Sequence, residues 1–437
     1  MGVKVAKFGG SSVADAIQFK KTKEIVLSDK DRRYVVVSAP GKRFEGDTKI
    51  TDVLYLCKAH IEHNLPYEQL FQVVIDRYMS FKINLGIEVD LQSEFDIIKK
   101  NLHDGIGEAY IASRGEYLSA VIIAAYLGYD LVDTVGLIRF DKSGALMFEE
   151  TDKALKEELS KHERAVMPGF YGSNDKGEIV TFSRGGSDVT GSLIARAVNA
   201  DVYENWTDVS GFMMADPRIV DNPEQISQIS YKELRELSYM GASVLHEDAI
   251  YPAKIANIPI NIRNTNEPYE EGTYITAEPD KNNTKIITGI AGNKDFTVIA
   301  LYKNLLATEK GYIRKILNIL EDYDVSCEHI PSGIDTVSIV ISNEQLDGKI
   351  DRIIKDIKNQ LEPDSIEVFD QMALIATVGC GMSQRTGVSA KLFTALAEND
   401  VNIRMIDQGS SEMNIIVGVE NKQFESAIRA IYQAFME

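Results

Sequence analysis

Two rhythms of apolar residues run through the first half of the chain. Short continuous runs such as Tyr34-Val35-Val36-Val37, Glu178-Ile179-Val180-Thr181-Phe182 and Ile258-Pro259-Ile260-Asn261-Ile262 read as strands. Between them lie helical spacings, as in Leu70, Phe71, Val74, Ile75, Tyr78 and Met79, which share one helical face. Strands that alternate with helices predict an α/β fold, a mostly parallel sheet with helices on both faces. Ligands of such sheets collect at the carboxyl ends of the strands, so the strand-to-helix turns hold the candidate chemistry.

The second half repeats itself. Thr297-Val298-Ile299-Ala300 returns 76 residues later as Ala373-Leu374-Ile375-Ala376, Gly311 as Gly387, Asp324-Val325 as Asp400-Val401, and Thr336-Val337-Ser338-Ile339 as Glu412-Met413-Asn414-Ile415. Each copy reads strand, loop, amphipathic helix, strand, strand, with helix faces Ile313, Ile316, Leu317, Leu320 and Leu392, Phe393, Leu396. Copy one adds a helix over 349–361 and a strand over 365–369, whereas copy two ends in a helix over 424–435. A spare strand at 285–290 is placed to complete copy two, which makes copy one an insertion within it.

Composition narrows the function. A chain of 437 residues with 44% hydrophobic residues supports about three domains. No segment resembles a signal peptide and no apolar run approaches the roughly 20 residues of a membrane span, so a cytoplasmic protein is expected. Lys plus Arg total 47 against 66 Asp plus Glu; the net charge of -19 argues against nucleic acid and anionic membranes and requires a local basic patch for any anionic ligand. Cys57, Cys327 and Cys380 are widely spaced and read as reduced thiols. No histidine sits in a metal-binding pattern, and no protein metal site is expected.

Four segments carry candidate chemistry. Lys7-Phe8-Gly9-Gly10-Ser11-Ser12-Val13 follows a strand and enters a helix, so bare backbone N–H groups and the Lys7 ammonium suit a phosphate. Alone, Gly-Gly after a strand is as often a tight turn, and no P-loop pattern occurs anywhere. Ser183-Arg184-Gly185-Gly186-Ser187-Asp188 is a second glycine-bearing helix entry, where Arg184 is suited to fork onto a carboxylate and Asp188 to cap the helix or orient a lysine. Asn205-Trp206-Thr207-Asp208 through Arg218 follows a strand expected to end at Glu204 and suits the edge of a nucleotide. Ser113-Arg114-Gly115-Glu116 reads as a helix start, with Glu116 either a favourable dipole charge or a partner for a substrate ammonium.

In order, Lys-Phe-Gly-Gly-Ser-Ser-Val at 7–13, Ser-Arg-Gly-Glu at 113–116, Phe-Ser-Arg-Gly-Gly-Ser-Asp at 182–188 and Trp-Thr-Asp-Val-Ser-Gly at 206–211 resemble the aspartokinase branch of the amino acid kinase family. The duplicated tail resembles that family's paired α+β ferredoxin-like ACT domains. The resemblance implies a catalytic domain at 1–284, a first ACT domain at 295–370, and a second built from 285–294 plus 371–437. It implies transfer of the ATP γ-phosphoryl, with Mg²⁺, to the side-chain carboxylate of L-aspartate. Lys7, Gly9, Gly10 and Ser11 would meet the phosphates and Asp188 would organise the reacting groups. Arg184 and Ser187 would hold the α-carboxylate of aspartate, Glu116 its ammonium, and Ser38 and Thr51 would also contact the substrate. Thr207, Asp208 and Arg218 would line the nucleotide pocket.

Two positions depart from the family pattern: Met213 stands where a Tyr is common, and Ser243 where a Lys is common, with Lys254 or Arg218 as substitutes for the lost charge. The resemblance also implies a homodimer through the ACT domains, or a tetramer, inhibited by L-lysine alone or with threonine. The first repeat would hold the effector through Gly311, Tyr312 and Glu328, because Arg404 takes the place of Glu328 in the second. Two other readings stay open: a kinase for a related amino acid such as glutamate, and a catalytically dead amino-acid sensor. The duplicated tail argues against the first and the retained Lys7, Arg184, Asp188 and Glu116 against the second.

Overall fold

Runs rich in β-branched and aromatic residues settle as strands where both of their faces are covered. The computed structural model describes residues 2–104, 106–183, 185–242, 245, 247–279 and 285–436. Its first elements are β1 (Lys4–Phe8), α1 (Ala16–Ser28), β2 (Arg32–Val37), α2 (Ile50–Glu62), α3 (Glu68–Leu85), α4 (Leu91–His103) and α5 (Glu108–Leu127). There follow β3 (Asp130–Leu131), β4 (Arg139–Phe140), α6 (Phe148–Leu159), β5 (Ala165–Pro168), β6 (Tyr171–Asn174), β7 (Ile179–Thr181), α7 (Gly186–Ala197) and β8 (Val202–Thr207). Next come β9 (Gln228–Ser230), α8 (Tyr231–Tyr239), α9 (Glu247–Ile255), β10 (Ile260–Asn264) and β11 (Thr273–Thr276). The remainder is β12 (Gly289–Tyr302), α10 (Tyr312–Asp322), β13 (Thr336–Ser342), α11 (Asn343–Leu346), α12 (Ile350–Leu361), β14 (Ser365–Val378), α13 (Val388–Glu398), β15 (Met405–Asp407), β16 (Asn414–Glu420) and α14 (Phe424–Met436).

The chain forms two units: Met1–Phe212, Ser227–Tyr231 and Val244–Pro279 make the first, and Met213–Ile226, Lys232–Ser243 and Asp280–Glu437 the second. In the first, eight strands lie in the order β3-β5-β2-β1-β8-β10-β11-β9, and β4, β6 and β7 form a smaller sheet. The six strands from β3 to β10 are parallel; β11 turns antiparallel to β10. Ala6, Phe8, Val35 and Val37 face α1 to α5, packing among Phe19, Leu54, Phe71, Tyr78, Phe95 and Leu118. Side chains alternate along a strand, so Lys7 faces the other way, where α7 packs against β1.

A polar knot sits within this core. Glu204 on β8 accepts from Arg32 Nε at 2.7 Å and Nη2 at 3.2 Å, and from Trp206 Nε1 at 2.9 Å. Trp206 stacks on Phe8, with ring centroids 6.0 Å apart, and the Arg263 guanidinium lies 4.6 Å from its indole. The knot explains a difference from the sequence pattern: β8 does not stop at Glu204 but runs to Thr207, because Glu204 and Trp206 are anchored on the same face.

The second unit is a five-stranded sheet in the order β13-β12-β14-β16-β15, antiparallel throughout. Its two central strands are long. Residues 289–293 of β12 pair with 374–378 of β14, and 296–302 pair with 365–372, across a bulge where Asp295 is left-handed, φ 67°. The first of these strands begins at Gly289, not Lys285. The 76-residue spacing recurs in the backbone: left-handed Asp295, Gly311 and Asp324 are matched by left-handed Gln371, Gly387 and Asp400. Helix α8 is fastened to this unit along one face. Glu233 accepts from Thr288 Oγ1 at 2.6 Å and the Cys380 amide at 2.8 Å, Glu236 accepts from Asn414 at 2.6 Å, and the Tyr239 hydroxyl donates to Glu328.

Removing one partner of a buried ion pair strands the other. Glu204→Ala is therefore expected to destabilise the first unit by about 3 kcal/mol or more, read as a lower denaturant midpoint; a change below about 1 kcal/mol would fall in the range of exposed pairs and contradict this role for the knot.

Candidate active site at the carboxyl ends of β1, β2 and β8

The parallel register sets the centre of the site. Lys7 on β1 lies opposite Asn205 on β8, and both meet Asp188 in the first turn of α7: Lys7 Nζ is 2.5 Å from Asp188 Oδ1 and Asn205 Nδ2 donates to the same oxygen at 2.7 Å. The Lys7 side chain is 9% exposed, which leaves its ammonium dependent on that carboxylate. Asp188 does not cap its helix. Gly185 occupies the cap with φ 58°, a left-handed conformation that favours glycine.

The turn after β1 differs from the expected direct entry into a helix. Residues Gly10–Val13 form a single 3₁₀ turn, and α1 starts only at Ala16, its first N–H groups capped by Asp15, which accepts from Gln18 N–H at 2.9 Å. The helix end is thus already occupied by a carboxylate. Gly9 N–H donates to Trp206 O and Ser12 N–H to Gly9 O, both at 2.9 Å. Among the described residues this leaves the amides of Gly10 and Ser11 to receive an anion. Gly10 has a second reason to lack a side chain: a Cβ there would stand 3.0 Å from Ala39 O and 3.2 Å from Gly41 N.

That contact brings in the loop leaving β2. Ser38 N–H donates to Phe8 O at 3.1 Å and Gly41 N–H to Gly10 O at 2.9 Å. On its other side the loop touches α5, where a Cβ on Gly115 would lie 2.7 Å from that of Ala39. Glu116 follows. It is not at a helix start: α5 begins at Glu108, and Glu116 lies buried in the helix interior, so the dipole reading fails. Its carboxyl accepts the Ala39 N–H, its Oε2 has no partner among the described residues, and burial pushes its pKa from the ordinary 4.5 up to about 8.

Ser187 is also buried here, packed so closely on Gly169 that a Cβ on that glycine would meet its Oγ at 2.5 Å; Gly169 N–H in turn donates to Val37 O at 3.0 Å. Thr51 stands at the start of α2, beside Ile50, whose N–H donates to Pro40 O at 3.3 Å. Thr207 ends β8, its hydroxyl donating to the exposed Asp208 at 3.2 Å. Lys7, Gly9, Gly10, Ser11, Ser38, Glu116, Ser187 and Asp188 thus line adjoining strand exits. Arg218 belongs to the second unit, exposed and paired with Asp216 at 2.6 Å, and Met213 in the same unit bridges to Gln225. Lys254, exposed in the last turn of α9, lies 5.7 Å from the Tyr231 ring. Arg184 and Ser243 lie outside the described residues.

Gly41 and Gly169 carry no candidate role in the sequence, and Asn205 enters only as the first residue of the nucleotide-edge segment. Asn205 was within reach of pattern alone, since alternation along β8 puts it on the Lys7 face. The two glycines act through contacts with segments distant in the chain, for which no local signal exists.

The exits of β1, β2 and β8 thus bring together a buried lysine, two open amides and the carboxyls of Asp188 and Glu116. The family profile described as "Amino acid kinase family" matches residues 2–264, and that described as "ACT domain" matches 375–435. The chain belongs to the amino acid kinase family. Aspartokinase 3 of Bacillus subtilis is 38% identical over 450 residues, 99% of this chain and 98% of that one. The crystal structure of Clostridium acetobutylicum aspartate kinase, described as an important allosteric enzyme, is 55% identical, with a TM-score of 0.93 over 100% of both chains. Lysine-sensitive aspartokinase 3 of Escherichia coli K12 is 27% identical over 99% of each chain. Within the family, the enzyme is an aspartate kinase.

The raised pKa of Glu116 makes a pH prediction. Its folded value lies above its unfolded one, so the stability it contributes is complete below about 4.5 and is lost as pH rises through about 8. Glu116→Gln, which cannot ionise, is expected to flatten the decline of unfolding free energy over that window; an unchanged slope in denaturation at several pH values would contradict the buried, protonated carboxyl.

Proposed function

We propose that the enzyme transfers the γ-phosphoryl group of ATP to the side-chain carboxylate of L-aspartate at the exits of β1, β2 and β8. The observation that carries this is the buried Lys7 ammonium, held by Asp188 and Asn205 beside the open amides of Gly10 and Ser11. The attacking carboxylate is already ionised at pH 7, so the chain needs no general base. Its carboxylate oxygen bonds to the γ-phosphorus as the bond to the β-phosphate bridging oxygen breaks, giving an acyl phosphate and ADP. What the chain must supply is alignment and charge. Lys7 follows negative charge on the transferring group, and Gly9, Gly10 and Ser11 cradle it.

Asp188 keeps the ammonium aimed. Ser187 and Arg184 take the α-carboxylate of aspartate, with Ser38 and Thr51 along its path, and Glu116 takes the ammonium, giving up its proton as it does so. Thr207 and Asp208 serve the nucleotide. Mg²⁺ fits as a passenger on ATP: no group of three His, Cys, Asp or Glu is gathered for a metal among the described residues, and this ion takes most of its ligands from phosphate and water. When bound it neutralises phosphate charge. Lys7→Ala and Asp188→Ala are each expected to lower turnover by about a hundredfold or more; because Asp188→Ala also strands the buried Lys7 ammonium and lowers the melting temperature, turnover is read below that temperature, by trapping the acyl phosphate with hydroxylamine using aspartate and, separately, glutamate. Wild-type turnover in either variant would remove Lys7 from the reaction, and equal use of glutamate would change the substrate.

In the second unit, residues 295–370 make the first ACT domain, and 285–294 with 371–437 the second. Exposed apolar residues on it, among them Leu305, Ile334 and Ile406, support pairing of two copies there. Lysine is the proposed effector, supported by the name of the lysine-sensitive relative and by Glu328, an acidic residue in the first repeat. Gly311, left-handed at the start of α10, and the buried Tyr312, whose hydroxyl has no partner among the described residues, lie in the same repeat. Glu328 is engaged by the Tyr239 hydroxyl, so an effector ammonium has to displace it. Tyr239→Phe should lower the lysine concentration for half-inhibition severalfold, and Glu328→Ala should abolish inhibition; equal inhibition of all three proteins would rule out Glu328 as the contact.

A further inference from the structure

Arg77 lies on α3, away from every motif in the sequence, and is 4% exposed. Its Nη1 donates to Ala14 O at 3.3 Å and Gly41 O at 3.4 Å, and its Nη2 to both oxygens of Asp47 at 2.9 and 3.2 Å. These acceptors come from two different pieces of the site. Ala14 closes the 3₁₀ turn that begins at Gly10, and Gly41 is the residue packed on Gly10. Asp47 sits in the loop leading to α2 and Thr51, where Arg43 also binds it, through Nε at 2.8 Å and Nη2 at 3.0 Å.

We infer that Arg77 is a positioning residue that fixes the phosphate turn at Gly10 and Ser11 against the aspartate-side loop from Ser38 to Thr51. One segment is a single 3₁₀ turn and the other is irregular until α2 begins at Ile50, so neither sets their separation by itself. Gly10 and Gly41 touch through backbone alone, and one amide-to-carbonyl bond permits sliding. A planar guanidinium that bonds both pieces from beneath stops it, because its donors point in fixed directions; a lysine carries the same charge but cannot span these acceptors. Stability alone is a weak reason to bury this ion pair, since apolar replacements of such pairs are often as stable. Alignment is the stronger one: acceptor carboxylate and γ-phosphate bind on opposite sides of the seam, and a shift of about 1 Å costs on the order of a hundredfold in rate.

The inference rests on the phosphate lying at the Lys7 and Gly10 turn, so Lys7→Ala is run alongside. Wild-type turnover in Lys7→Ala would remove that placement without bearing on Arg77, whereas the Arg77 variants decide only the seam. Arg77→Lys, Asp47→Asn and the double variant are compared for melting temperature, kcat, and KM for ATP and aspartate. Both singles are expected to remain folded at the assay temperature, with kcat lowered about tenfold to a hundredfold and each KM changed much less. The double variant should be no slower than the slower single, because both break one clamp. If Arg77→Lys fails to fold, Asp47→Asn, which keeps the size and shape of the side chain, decides alone. Folded variants with kcat within twofold of wild type, or a double variant whose loss is the product of the singles, would overturn the inference.

Discussion

A buried ammonium must have an opposing charge close by, and the arrangement of the first unit follows from giving Lys7 one. β1 lies between β2 and β8 in the sheet, and alternation sends Ala6 and Phe8 into the helical core while Lys7 faces α7. Asp188 is brought to it by the first turn of that helix, and Asn205, its register partner on β8, steadies the same carboxylate oxygen. If the register slipped by one residue, Lys7 would enter the apolar layer and Phe8 would meet Asp188. The Arg32, Glu204 and Trp206 knot makes such a slip costly, since it joins β2 to β8 across β1. Folding and chemistry therefore use the same constraint.

Around that pair the site is assembled by close backbone approaches. The loop leaving β2 is held between Gly10 and Gly115, and its Ala39 amide reaches the Glu116 carboxyl. A carboxyl whose pKa burial pushes up to about 8 and two open amides thus stand at neighbouring strand exits. The second unit is a single antiparallel sheet of five strands. It is built by duplication, with β12 and β14 each serving both halves of one sheet and α8 fastened to it through Glu233, Glu236 and Tyr239.

What could be read from sequence was what is local. Lys7, Gly9 and Gly10 stand out because a strand, a turn and a helix follow one another within a few residues, and the 76-residue repeat is plain because both copies keep their left-handed turn positions. Polar residues at 113–116 look like a helix entry, yet they lie within α5, where Tyr78, Ala39 and Arg114 find contacts that only tertiary packing supplies. Gly10 reads from sequence as room for an anion; its missing side chain also makes room for Ala39 and Gly41. Arg77 gave no signal at all, since an arginine within an amphipathic helix reads as solvated until the fold buries it.

The central claim is that phosphoryl transfer takes place beside Lys7. A crystal structure of the enzyme with a non-hydrolysable ATP analogue and L-aspartate tests it most directly. The terminal phosphate is predicted to lie within hydrogen-bonding distance of Lys7 Nζ and of the Gly10 or Ser11 amide, with the aspartate side-chain carboxylate facing it from the Ser38 loop. A terminal phosphate bound elsewhere, with Lys7 still paired only to Asp188, would contradict the account.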